Sequence, residues 1–122
     1  MNKKILIVDD EQTIAKALSR LFSKHGFETH IAHDGKKALV FFKDHPFDLV
    51  LLDVILPKLN GIAVLEYIRK KNKKIPIIMM TAYSNVESLK EAQKLGANDA
   101  LFKPFDNIDD VLKKVKKYVS LC

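Results

Sequence analysis

Near the N-terminus the chain reads ILIVDDE, an apolar run from Ile5 that ends in three carboxylates, Asp9, Asp10 and Glu11. Like charges this close repel, and any that are buried lose their water at a cost. Either the end of the run lies in water or something positive sits beside it. Other apolar runs end in reactive types too. DLVLLD ends in Asp53, IPIIMMT in Thr81, and ALFKP in Lys103 and Pro104. If these ends meet, carboxylates, a hydroxyl and an ammonium converge on one shallow pocket. Magnesium suits such a set, because it takes oxygen ligands, keeps several waters and often shares its shell with a phosphate. Asp10 and Asp53 would ligate it directly, with Asp9 holding a bound water. An aspartate is also a nucleophile towards phosphorus, and phosphoryl transfer needs positioning and charge neutralisation more than acid–base chemistry. Lys103 would meet the phosphoryl oxygens as a point charge, and Thr81 would donate a hydrogen bond to one of them.

Each residue alone has a structural reading. Asp9 and Asp10 would suit the N-terminus of a helix starting near Glu11. Thr81 could be a cap, and Lys103 an exposed lysine before a turn. Their joint placement at different strand tips favours chemistry.

The elements that must position them alternate. Strand-length apolar runs fall at Ile5–Val8, Thr29–Ala32, Leu49–Leu52, Ile75–Met80 and Ala100–Phe102. The first, third and fourth are near-continuous, as in parallel strands buried on both faces. Between them lie segments with helical spacing. Ile14, Leu18, Leu21 and Phe22 share a face, as do Leu39 and Phe42. Ile62, Leu65 and Ile68 follow, then Val86 and Leu89, and finally Ile108, Val111, Leu112, Val115 and Val119. Gly26 and Gly96 follow helical segments, as left-handed caps. Gly35 and Gly61 follow Asp34 and Asn60 and read as turn residues. Five strands alternating with five helices predict a doubly wound α/β sheet in one domain spanning residues 1–122. In such a sheet ligands bind outside the carboxyl ends of the strands.

The totals agree with this reading. The chain has 122 residues, 48% of them apolar, and a single cysteine, Cys122. One thiol makes no internal disulfide, which points to a reducing, cytoplasmic setting. The basic start MNKK precedes too short an apolar run for a signal peptide or membrane span. Net charge is +6, with lysines clustered at 70–74 and 113–117. These read as solvated helix faces rather than a nucleic-acid surface, because no aromatic residue interleaves the first cluster and no recognition motif is present. Met79 and Met80 read as core, and His25, His30, His33 and His45 as surface or satisfied polar positions.

The stretches ILIVDDE, DLVLLDVILPKLNG, PIIMMTA and LGANDALFKPF resemble the response-regulator receiver domain, the CheY-like phosphoacceptor of two-component signalling. The resemblance covers Lys4 to about Tyr118. It implies a flavodoxin-like (βα)5 sheet of strand order 2-1-3-4-5, with Asp53 as phosphoacceptor and Asp9 and Asp10 as the acidic pair that holds magnesium. The backbone carbonyl of Ile55 is implied as a further ligand, Thr81 as the switch hydroxyl, and Lys103 as the phosphoryl contact, joined to Pro104 by a cis peptide bond. The implied donor is a phosphohistidine on a sensor histidine kinase. The implied output is binding of a downstream protein, or onward transfer to a histidine phosphotransfer protein. Such a module is a switch rather than a turnover enzyme, and a monomer when unphosphorylated. Its partner face would be the fourth helix, fifth strand and fifth helix, including Lys90, Lys94 and part of the Lys113–Lys117 face. IIMMTAY and the KPFD…VKKY segment look closer to the sporulation phosphorelay type than to the motor-binding type.

The sequence departs from the family pattern, or varies within it, at a few positions. Many receivers carry Tyr or Phe three residues before the lysine, where this chain has Ala100. Signalling is therefore expected through the loop after Thr81 and the following helix, without a large ring rotation; Phe102 reads as core. Two positions that tune hydrolysis in the family are here Ile55 and Tyr83. Neither offers a carboxylate or amide to orient water, so the phosphoryl group is expected to be long-lived. Two other classes fit less well. An aspartate phosphatase would need a D-x-D pattern and a cap insertion. A flavodoxin would need a phosphate loop where this chain has carboxylates that repel phosphate.

Overall fold

Runs of Ile, Leu and Val that are apolar at every position cannot expose either face, so they call for helices on both sides of one sheet. The computed structural model describes residues 2–119, the side chain of Tyr83 excepted; Cys122 lies outside the described residues. Its strands are β1 (Lys4–Val8), β2 (Glu28–Ala32), β3 (Leu49–Asp53), β4 (Ile77–Ala82) and β5 (Asp99–Lys103). The helices are α1 (Gln12–Lys24), α2 (Gly35–Asp44), α3 (Gly61–Lys71), α4 (Val86–Lys94) and α5 (Ile108–Tyr118). All strand pairs are parallel, in the order β2-β1-β3-β4-β5.

The sheet divides the core by alternation. Leu6, Val8, Val50, Leu52, Ile77 and Met79 pack on the side of α2, α3 and α4. Ile5, Ile7, Leu49, Leu51, Ile78 and Met80 pack on the side of α1 and α5. Each such side chain contributes about 1.5–3 kcal/mol by leaving water, so a slip of one residue in register would exchange the two cores wholesale. Among the described residues, no helix is long and apolar enough to cross a membrane.

The structure moves several expected boundaries. β4 begins at Ile77, after Pro76, and runs on through Thr81 to Ala82. Proline lacks the N–H that the ladder requires there. β5 runs from Asp99 to Lys103, one residue beyond the expected Ala100–Phe102 at each end. Gly35 and Gly61 are not turn residues but the first residues of α2 and α3. Asp34 and Asn60 are the N-caps, accepting from the Lys37 and Ala63 amides at 2.8 and 3.0 Å. A side chain at Gly35 would overlap the Leu59 carbonyl, and one at Gly61 the Asp53 carbonyl. Gly26 and Gly96 do cap helices with positive φ, 90° and 107°. On α4 the buried face is Leu89 and Ala92, while Val86 lies exposed at the first turn. On α2, Ala38 takes the fully buried position, and Leu39 and Phe42 cover its margin.

Candidate functional site

Parallel strands bring their carboxyl ends to one edge, and there the acids meet. Val8 is the last residue of β1, and the Asp9 amide extends its ladder by donating to the Ala32 carbonyl at 3.0 Å. That bond holds Asp9 at the end of β1, which lies between β2 and β3, and its side chain is wholly buried. Asp53 ends β3 beside it and is 7% exposed. Asp10 lies just outside and is exposed. Oxygens of Asp9, Asp10 and Asp53 lie within 4.8 Å of one another.

Lys103 reaches this cluster from the far edge of the sheet. Its Nζ donates to Asp9 Oδ2 at 2.7 Å, Asp53 Oδ2 at 2.8 Å and Glu11 Oε1 at 3.2 Å. The remaining oxygens are held by backbone. Asp9 Oδ1 accepts from the Glu11 amide at 2.9 Å, and Asp53 Oδ1 from the Ile55 amide at 3.1 Å. The Lys103–Pro104 peptide is cis.

The electrostatics follow from burial. Burial pushes the Asp53 carboxyl above the usual aspartate range, against the opposing pull of Lys103, and neighbouring Asp9 adds to the rise. Burial alone would lower the Lys103 ammonium, but its hydrogen bonds to Asp53 and Asp9 outweigh that and hold it well above an ordinary lysine. Lys103 is therefore a fixed positive charge at any pH the protein meets.

The site fits a divalent cation on its own chemistry. Four carboxylates, Asp9, Asp10, Glu11 and Asp53, face one ammonium, so negative charge remains in excess in a half-buried crevice. The donors are all oxygens, the set that magnesium prefers.

Other predicted residues are placed less directly. Thr81 is buried at the tip of β4, and its hydroxyl donates to the Ala82 carbonyl at 3.3 Å. Among the described residues no hydrogen bond joins it to Asp53 or Lys103. Its register partner on β5 is Phe102. Ala100 and Phe102 both pack, half-buried, against the core on the α4 side. Ile55 turns its side chain into solvent, 57% exposed. Two contacts escaped sequence reasoning. The Glu11 carboxylate meets Lys103, and His33 Nδ1 bonds the Asp9 carbonyl at 3.0 Å. The signal for Glu11 was its place in the acidic run; nothing local marks His33. His30 departs from expectation, because its buried Nδ1 has no hydrogen-bond partner among the described residues.

A five-stranded parallel sheet of this order, with its acids gathered at the β1–β3 crevice, defines a flavodoxin-like domain of the CheY type. The chain belongs to the response regulator receiver domain family, whose model matches residues 5–116. It is 43% identical over 122 residues to sporulation initiation phosphotransferase F of Bacillus subtilis, covering 99% of this chain and 97% of that protein. It is 44% identical over 119 residues to regulatory protein AtoC of Escherichia coli, covering 97% of this chain but only 25% of that one. Among solved structures, chemotaxis protein CheY4 of Vibrio cholerae superposes with a TM-score of 0.90 at 30% identity, covering 98% of this chain and all of that one. The chain thus spans nearly the whole of one curated relative and a quarter of another.

Proposed function

We propose that the protein is a phosphorylation switch that accepts a phosphoryl group from a sensor kinase phosphohistidine onto Asp53. The observation that carries this reading is the Asp53 carboxylate itself, buried at a strand tip, bridged by Lys103 and flanked by Asp9 and Asp10. An Asp53 oxygen forms the new O–P bond as the N–P bond of the phosphohistidine breaks, and the departing imidazole nitrogen takes up a proton. Burial raises the basicity of the attacking oxygen. Lys103 answers the charge of the incoming phosphoryl oxygens as a cation already held at the site. Asp9, Asp10, Asp53 and the Ile55 carbonyl would hold magnesium, which when bound neutralises and orients the phosphoryl oxygens.

Thr81 supplies the readout. Its hydroxyl bond to Ala82 is long for an O–H donor, so it is easily redirected to a phosphoryl oxygen. The turn at 83–85 and the start of α4 would follow it. Backbone amide shifts confined to residues 81–89 on phosphorylation would support this route; an unmoved loop would sink it.

The product of this chemistry is a partner-binding state. Onward transfer to a histidine phosphotransfer protein is favoured over a motor-type target by the near-complete match to a sporulation phosphotransferase. The setting is cytoplasmic and the unphosphorylated protein a monomer, acting as a switch rather than as a turnover enzyme.

Intact mass after incubation with acetyl phosphate and magnesium tests the reading. One added phosphoryl group, dependent on magnesium and lost in Asp53→Asn, is expected. A folded wild type that binds magnesium but gains no mass would overturn it.

A further inference from the structure

Glu11 occupies a position whose usual task it does not perform. It is the N-cap of α1, with extended backbone, and its carbonyl accepts from the Ala15 amide at 3.0 Å. N-caps are mostly Ser, Thr, Asp or Asn, whose short side chains bond the first free helix amides. The Glu11 carboxylate makes no such bond. It reaches across to Lys103 Nζ at 3.2 Å instead. A residue that neglects its local role while its side chain serves a distant one points to function.

The contact completes the ammonium. Lysine has three N–H donors, and Lys103 places them on Asp9, Asp53 and Glu11. Two of these acceptors, Asp9 and Asp53, belong to the oxygen cluster that suits a divalent cation; Glu11 does not. A cation entering that cluster competes with the ammonium for the same two carboxylates. Lys103 is only 11% exposed, and Glu11 is the acceptor on the solvent side at 58%. Without Glu11, the displaced ammonium would have no carboxylate left to hold it at the site.

We propose that Glu11 is a positioning residue, a standing acceptor that lets Lys103 yield Asp9 and Asp53 to magnesium yet stay at the pocket rim, ready for the phosphoryl oxygens. This rests on the phosphoacceptor reading above. The backbone supports the role, because the Glu11 amide is pinned to Asp9 Oδ1 at 2.9 Å. The carboxylate therefore starts from a fixed point beside the site.

Magnesium affinity, measured by calorimetry on the whole chain, tests this without any turnover. Glu11→Ala and Glu11→Asp are each expected to weaken magnesium binding about threefold to tenfold, the scale of coupling between contacting charged groups. The aspartate keeps the charge but is one methylene short of Lys103. In a Lys103→Met background the Glu11→Ala effect should shrink below about twofold, since an exposed carboxylate acts weakly through solvent. Lys103→Gln repeats the cycle where the methionine variant does not fold. Wild-type affinity in Glu11→Asp, or an undiminished Glu11→Ala effect without Lys103, would show that Glu11 acts only through its charge and would overturn the proposal. A folded wild type that binds no magnesium would instead bring down the phosphoacceptor reading, and this inference with it.

Discussion

The ammonium of Lys103 lies 2.8 Å from Oδ2 of Asp53, fifty residues away in sequence, with the same nitrogen 2.7 Å from Asp9. One buried cation therefore bridges two buried anions at the edge of a hydrophobic sheet. Such a bridge is weak evidence for stability, since desolvation offsets attraction. Its value lies in what it prepares for.

The balance predicts an effect of Asp53 on stability. Because burial raises the Asp53 pKa, the native state holds that proton to higher pH than the unfolded chain does. Stability from this group is present below the ordinary aspartate range and falls as pH rises through the native value. At neutral pH the charged Asp53 is thus a liability. Asp53→Asn keeps its shape, removes a desolvated charge crowded by Asp9 and leaves Lys103 paired with Asp9, so it should raise stability by about 1 kcal/mol, the scale of a one-unit pKa displacement, while abolishing phosphorylation. Thermal denaturation at pH 7 measures it; a lowered midpoint would contradict the sign.

The lifetime of the phosphoryl group should be long. The Ile55 side chain is exposed beside Asp53 and carries no polar atom to aim a water; Tyr83 follows Thr81 by two residues. Ile55→Asn with Tyr83→Glu should speed loss of the phosphate about tenfold or more, the scale of positioning effects on an attacking water. Decay of the phosphorylated mass in magnesium buffer reads this directly. An unchanged or longer lifetime would remove these positions from the account.

Gly61 ties α3 to the phosphoacceptor. A methyl group there would overlap the Asp53 carbonyl, which is backbone and cannot swing aside. Gly61→Ala should cost about 1–3 kcal/mol, the range for overpacking a close contact, and should slow phosphorylation by shifting Asp53. Urea denaturation together with the phosphorylation rate would test both. Full activity at wild-type stability would mean that the helix start yields more freely than the contact suggests.

A pH effect should arise far from the site. His30 lies among Phe41, His45 and Phe47, with ring centroids 5.4, 4.7 and 5.4 Å away. Burial, then His45 and Lys4, lower its pKa, and Glu28 opposes them only in part. The native state therefore resists protonation. Its stability is full above the ordinary histidine pKa and falls as pH drops from about 6.5 towards the native value. His30→Phe should flatten that decline between pH 7 and 5. Parallel wild-type and variant curves would place the titration elsewhere.

Much of this protein was legible in its residues alone. Near-continuous apolar runs marked the inner strands and 3.6-residue spacing the helices, because burial on one or two faces constrains each position locally. Reactive residues at the ends of apolar runs marked Asp9, Asp10, Asp53, Thr81 and Lys103, because a parallel sheet must bring its strand tips to one edge. Boundaries were less secure where one residue decides them, as with Pro76 before β4 and the glycines that open α2 and α3. Only the tertiary structure decided which groups touch. The three donors of Lys103 choose among acceptors supplied by the end of β1, β3 and the start of α1, and His33 finds the Asp9 carbonyl from the end of the neighbouring parallel strand β2. These are contacts between segments far apart in the chain, set by strand order and register, and no local pattern encodes them.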